Sequence, residues 1–207
     1  MVKLLIVRHA VTKFNSARRY AGHKDALLND LGVEQAERLH QRLADEKIDF
    51  VYSSDLKRAR MTAEAIISGR SLEIVACPEL REIDYGDTAG MTFTEMKDNY
   101  PQVAELFVKS SLDLQYPGGE SLMEMAKRVN TFPDKLSGTA PDETILVVSH
   151  RGPLRVLICH LLGMDLKHWR QISLSNASLS MVSISPEGTV LDLLNDTLHL
   201  KEVDDSD

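Results

Sequence analysis

The sequence predicts an α/β fold: a three-layer sandwich with a mainly parallel, doubly wound sheet, helices on both faces, an inserted lid segment and a C-terminal hairpin. Three observations carry that expectation. The runs Leu4-Leu5-Ile6-Val7 and Ile145-Leu146-Val147-Val148 have the unbroken apolarity of strands buried on both faces of a parallel sheet. Short strands and amphipathic segments alternate in a βαβαβ order, which implies parallel pairing through right-handed crossovers. Near the end, SLSMVSISPEGTVLDLL reads as a hairpin turning at Pro186-Glu187-Gly188.

The elements follow in order. The first strand ends in Arg8 and His9. In LLNDLGVEQAERLHQRLADEKI, helical spacing aligns Leu31, Ala36, Leu39, Leu43 and Ile48, with Asn29 or Asp30 as the cap. DFVYSS is a short strand, and LKRARMTAEAIIS a helix with Leu56, Ala59, Ala63 and Ile66 or Ile67 inward. SLEIVAC is a third strand stopped by Pro78. From Glu79 to Pro117 the pattern loosens into loop and short helices, one opened by the capping box Thr92 to Glu95, as a lid over a sheet edge would. GESLMEMAKRVNTFPDKL aligns Leu122, Met125 or Ala126, Val129, Phe132 and Leu136, with Pro133 kinking or ending the helix and the methionines filling the core. ETILVVSHRGPLRVLICHLLG repeats the opening device: a strand, His150 at its carboxyl end, then a helix beginning near Pro153 and ended by Gly163. The acidic end EVDDSD reads as a frayed tail, about residues 200–207.

Bulk composition narrows the function. The 207 residues suit one domain, with a lid insertion at about residues 85–120, and 43% hydrophobic with 27% charged residues is ordinary globular composition. No stretch reaches the roughly 18 apolar residues of a membrane span, and the amino-terminal run stops at Arg8 without a secretory cleavage pattern. Cys77 and Cys159 lack metal-ligand spacing and read as reduced, packed thiols, so the expected location is cytoplasmic. His23, His40, His160 and His168 have no metal spacing either, and read as solvent-facing or satisfied side chains. A net charge of −7 without a basic, aromatic-interleaved stripe argues against nucleic-acid binding. An anionic ligand would need a local cluster of cations.

Such a cluster is available at the sheet edge. If the first and fourth strands are neighbours, His9 and His150 meet at one carboxyl edge, where open α/β sheets bind ligands. SSDLKRAR follows the second strand and can bring Arg58 to the same edge. Arg8, His9, Arg58 and His150 would then surround a tetrahedral dianion, since guanidinium groups match phosphate bidentately and stay charged. Neighbouring arginines keep a histidine neutral and nucleophilic. A leaving alkoxide needs a proton; LREIDYGDTAG offers Glu82, with Asp84 and Asp87 as competitors by position.

Taken together, VRHAVTKFN, SSDLKRARMTAEA, LREIDYGDTAG, PGGES and VVSHRGPLR, in this order, resemble the histidine phosphatase superfamily, the phosphoglycerate-mutase-like group, over roughly residues 3–185. The resemblance implies that His9 is the nucleophile, that Arg8, Arg58 and His150 bind the phosphoryl group, and that Glu82 is the proton donor. It also places Thr12, Asn15, Gly22, Glu120, Arg151 and Gly152 at the substrate. No metal and no cofactor are implied; the partner is a small-molecule phosphate ester, and the family suggests a homodimer. Three departures stand out, one being Thr88-Ala89 where a Trp-Glu pair is frequent, which implies a less bulky wall to the leaving-group pocket. Ala10 replaces a usual glycine, which a methyl group tolerates if φ is negative, and Arg151 replaces glycine after the second histidine, either to meet a second anionic group or to point into solvent.

The leading expectation is a phosphomonoesterase acting on a small metabolite, close in look to the short α-ribazole and phosphoserine phosphatases. Phosphoglycerate mutase is the alternative within the fold. An inactive phosphate-binding scaffold is the third reading, and a proton donor would be superfluous in it.

Overall fold

Strands are β1 (Val2–Arg8), β2 (Phe50–Ser53), β3 (Ile74–Ala76), β4 (Thr144–Ser149), β5 (Leu179–Ser185) and β6 (Gly188–Asp196). Helices are α1 (Lys13–Ser16), α2 (Asp30–Arg42), α3 (Lys57–Ile66), α4 (Phe93–Asn99), α5 (Pro101–Lys109), α6 (Leu122–Val129) and α7 (Arg151–Leu161). The computed structural model describes residues 1–136, 138 and 140–201. The acidic tail expected to fray lies mostly outside the described residues.

The strands form one sheet of order β3-β2-β4-β1-β5-β6. β1 through β4 pair in parallel, and the β5–β6 hairpin adds antiparallel strands beyond β1. The two most apolar strands therefore sit side by side in the middle, which explains why neither alternates. Leu4, Ile6, Ile145 and Val147 join one core with α6 and α7. Leu5, Val7, Leu146 and Val148 join the other, with α2 and α3. Successive side chains on a strand point to opposite faces, so each strand contributes to both layers.

Three features differ from the sequence reading. Leu31 is 36% exposed, because α2 approaches residues 10–12 through Gly32 and Gln35 instead. Gln35 Oε1 accepts the Val11 N–H at 3.1 Å, and a Cβ on Gly32 would overlap the Val11 carbonyl. α7 begins at Arg151, two residues before Pro153, with His150 at its N-cap. Proline is tolerated in a first helical turn, where its missing N–H has no intrahelical acceptor. β3 covers Ile74–Ala76, shorter than the expected SLEIVAC, and lies at the sheet edge beside β2 with Val75 45% exposed.

The lid expected at residues 85–120 contains α4, opened by the Thr92–Glu95 capping box, and α5, entered through Pro101. Pro133 falls in a 3₁₀ turn after α6, consistent with a helix ended by proline.

Candidate active site

β1 and β4 pair with Arg8 opposite Ser149. The next residue on each strand is a histidine, and the His9 and His150 ring centroids are 5.0 Å apart. The His9 N–H donates to the Ser149 carbonyl at 2.9 Å, and Asn176 Nδ2 donates to the His9 carbonyl at 2.9 Å, so the strand end is held on both sides.

The His9 ring has a defined tautomer. Its Nδ1 lies 2.7 Å from the Ala10 carbonyl, which can only accept, so Nδ1 carries the proton and Nε2 keeps a lone pair. Burial, then Arg58 and Arg8, hold its pKa well below the usual imidazole range. Ala10 is absent from the left-handed region, so its methyl group costs no backbone strain, and its N–H donates to Thr62 Oγ1 at 3.1 Å.

Arg8 donates from Nη1 to the Leu174 carbonyl at 2.8 Å. Its Nε is buried and has no partner among the described residues. Burial, then the charge of Arg151, lower its pKa to about 9. Arg58, 1% exposed, donates from Nη2 to Gly22 O at 2.7 Å, from Nη1 to Lys24 O at 3.0 Å and from Nε to His150 Nδ1 at 3.2 Å. A guanidinium has five N–H groups, so two remain for a ligand.

Because His150 accepts at Nδ1, its neutral ring carries the proton on Nε2, which is 2.8 Å from Ser54 Oγ. Burial, then Arg58, push its pKa well below the usual range. Both ring nitrogens are thus engaged. His150 backs the His9 ring rather than lining the open cleft, and a phosphoryl oxygen would have to replace Ser54 Oγ to reach its N–H.

Glu82 lies beside His9 and Arg8 in the cleft lining. It makes no ion pair among the described residues; Arg81 pairs with Asp55 instead. Oε1 of Glu82 accepts the Ile83 N–H at 3.0 Å. Asp84 is engaged with the Gly86 N–H at 2.9 Å, and Asp87 is exposed, so neither competitor lines the cleft.

Gly152 explains the setting of that carboxyl. A Cβ there would overlap Glu82 Oε1 and meet Met125 Sδ at 3.3 Å. Both neighbours are ends of flexible side chains, so Gly152→Ala should fold and displace the acid. The expected loss in kcat is about 10²-fold, the scale of an ångström-sized misplacement, with the melting temperature nearly unchanged. A large fall in melting temperature accompanying the activity loss would reject this account.

The remaining sequence-predicted residues divide. Thr12, Asn15, Gly22 and Arg151 line the cleft with Arg8, His9 and Arg58. Thr12 and Asn15 also form the capping box of α1, with Asn15 Oδ1 accepting the Thr12 N–H at 3.0 Å. Gly22 acts through its backbone: φ is +55°, and a Cβ would lie 2.9 Å from Tyr85 Cδ2. Glu120 is not part of the cleft lining. It pairs bidentately with Arg128 at 2.9 and 2.8 Å and accepts the Asp84 N–H at 3.0 Å.

That pair braces the loop carrying Glu82. Arg128 Nη1 donates to the carbonyls of Glu79 at 2.8 Å and Arg81 at 2.9 Å. His23, read from sequence as merely satisfied, donates from Nε2 to the Glu82 carbonyl at 2.8 Å. Sequence reasoning missed Arg128 and Asn176. Arg128 stands on the polar side of an amphipathic helix, and nothing in its spacing distinguishes it from a solvated charge.

A second cavity of about 220 Å³ adjoins the cleft and shares Tyr20, Glu82, Tyr85 and Arg151 with it. Its walls include Tyr116 and Trp169, and two further arginines, Arg155 and Arg170. Arg151 therefore meets the cavity and the cleft rather than solvent alone.

Arginines and neutral histidines gathered at the carboxyl edge of an α/β sheet define, by class, an enzyme that handles phosphoryl groups. The chain belongs to the histidine phosphatase superfamily (branch 1), whose family model matches residues 4–197. It is 37% identical over 202 residues to phosphoserine phosphatase 1 of Hydrogenobacter thermophilus, covering 98% of this chain and 96% of that one. It is 39% identical over 158 residues to phosphoglycerate mutase-like protein 4 of Arabidopsis thaliana, covering 75% and 69%. The crystal structure of the α-ribazole phosphatase from Shigella flexneri superposes with a TM-score of 0.88 at 30% identity, over 94% of this chain and 96% of that one.

Proposed function

We propose that the protein is a metal-independent phosphomonoesterase that hydrolyses a small phosphorylated metabolite through a phosphohistidine on His9. The observation carrying this reading is the His9 tautomer: a neutral imidazole with Nδ1 committed to Ala10 O and a lone pair on Nε2, in a cleft flanked by Arg8 and Arg58. In the first step Nε2 attacks phosphorus, the P–O bond to the alcohol breaks, and Glu82 gives its proton to the departing oxygen. In the second, the Glu82 carboxylate takes a proton from water as the water attacks the phosphohistidine, and phosphate leaves.

Arg8 and Arg58 stabilise the charge on the equatorial oxygens of both transition states, fixed before the reaction by backbone carbonyls. The chain works as one domain, with residues 85–120 as the lid. Its partner is a small phosphate ester.

Phosphoglycerate mutase is the second reading, favoured by the mutase-like relative from Arabidopsis thaliana. A mutase protects its phosphohistidine from water. Hydrolysis of p-nitrophenyl phosphate in excess EDTA, beside isomerisation of 3-phosphoglycerate, separates the two. Sustained, EDTA-resistant release of phosphate is expected; interconversion of phosphoglycerates without net hydrolysis would reassign the protein as a mutase.

A further inference from the structure

We propose that the cavity beside the phosphoryl cleft is a subsite for a second oxyanion, so that the substrate is a phosphate monoester whose alcohol carries another acidic group and no ammonium. This rests on the phosphatase reading and deepens it.

Three guanidinium groups, from Arg151, Arg155 and Arg170, line the cavity, and none of them is in an ion pair among the described residues. The carboxylate in the lining is Glu82, which is required at the departing oxygen. Arg151 makes no hydrogen bond among the described residues, so its whole fork is available. Arg155 spends only Nε, on the Ile172 carbonyl at 2.6 Å, and its guanidinium lies 5.8 Å from the Trp169 ring centre. Arg170 donates from Nη1 to the Phe107 carbonyl and stacks on the Phe107 ring at 4.5 Å. Both remaining forks keep donors for a ligand.

The charges are gathered against their own repulsion. Burial, then Arg151 and Arg170, lower the Arg155 pKa to about 10. A carboxylate or phosphate among them relieves that repulsion, whereas an ammonium would add to it. Trp169, 7% exposed, lines the cavity beside Arg155.

Size limits the alcohol. The cavity offers about 220 Å³ beside the phosphoryl cleft. A chain of a few carbons ending in an oxyanion fits that space. Tyr85 packs edge-on against Tyr116 with centroids 4.8 Å apart, giving the carbon chain an aromatic wall.

The test compares esters that differ in one group. 3-Phosphoglycerate and glycerol 3-phosphate share a skeleton but end in a carboxylate and a hydroxymethyl; phosphoserine has an ammonium in place of the C2 hydroxyl; glycerol 1,3-bisphosphate carries a phosphate ester at the end where 3-phosphoglycerate has its carboxylate. The expected kcat/KM ratio of 3-phosphoglycerate to glycerol 3-phosphate is about 10² or more, as charge-assisted hydrogen bonds to several guanidinium groups imply. Phosphoserine falls between them. The bisphosphate arm tells whether carboxylate or phosphate is preferred; either preference over glycerol 3-phosphate supports the subsite. Arg151→Gln, at an exposed position, should lower the charged-to-neutral ratio about tenfold, and added salt should lower it further.

Equal kcat/KM for the charged and neutral esters, with p-nitrophenyl phosphate still hydrolysed, overturns the subsite and leaves the phosphatase reading standing. Isomerisation of 3-phosphoglycerate without hydrolysis supports the subsite and overturns the hydrolase. Absence of both turnover and phosphoenzyme on every ester overturns both.

Discussion

Replacing His9 with alanine is expected to lower turnover on every ester by about 10⁴-fold or more, the scale seen when a covalent nucleophile is removed. Neither Arg8 nor Arg58 can substitute, because guanidinium groups have no lone pair to offer phosphorus. The fold should survive, since β1 is held by β4 and β5 through residues before His9. A second readout separates this from unfolding. Folded His9 resists protonation, while an unfolded histidine takes a proton near pH 6.5. As pH falls below that value, the unfolded chain gains a proton that the folded chain refuses, and stability drops. Removing His9 removes its share, about 1.4 kcal/mol per pH unit below 6.5 until the folded pKa is reached. Denaturant melts at pH 7 and pH 5 should show a smaller acid loss in the variant than in the wild type. An inactive variant with an unchanged acid slope would contradict the buried, neutral imidazole.

Glu82→Gln is the second large effect, and its signature is selectivity. The amide keeps the size and the acceptor for the Ile83 N–H but cannot deliver a proton. Alkyl phosphates, whose alkoxides are strong bases, should slow by about 10² to 10⁴. p-Nitrophenyl phosphate, whose phenolate leaves unassisted, should slow far less in formation of the phosphoenzyme. A uniform loss on both ester types would remove Glu82 from the acid role. The brace beneath Glu82 makes its placement specific: Arg128, Glu120 and His23 fix the loop backbone, and Gly152 leaves room for the carboxyl.

What the sequence revealed depended on local pattern. The unbroken apolarity of Leu4–Val7 and Ile145–Val148 reported the centre of the sheet directly, and the histidines at both strand ends follow from it. Arg58 was legible because it opens a helix straight after a strand. Leu31 misled, because its helical spacing matched the core face while the helix turned Gly32 and Gln35 to the β1–α1 loop. Glu120 carried no spacing to its partner Arg128 eight residues on, so only tertiary packing shows that it braces a loop instead of lining the cleft. Arg151 and Arg155, four apart on one helix, carried a weak signal that they share a face. Arg170 carried none, because a 3₁₀ turn after α7 delivers it to the cavity.

The central claim is the covalent intermediate on His9. Rapid quench of the wild type with radiolabelled p-nitrophenyl phosphate into base, followed by peptide mapping, addresses it most directly. The account predicts one base-stable, acid-labile phosphoryl group per chain on the peptide containing His9, formed in excess EDTA and absent from His9→Ala. Steady turnover with no label on the protein at any quench time, or label on a peptide without His9, would contradict it.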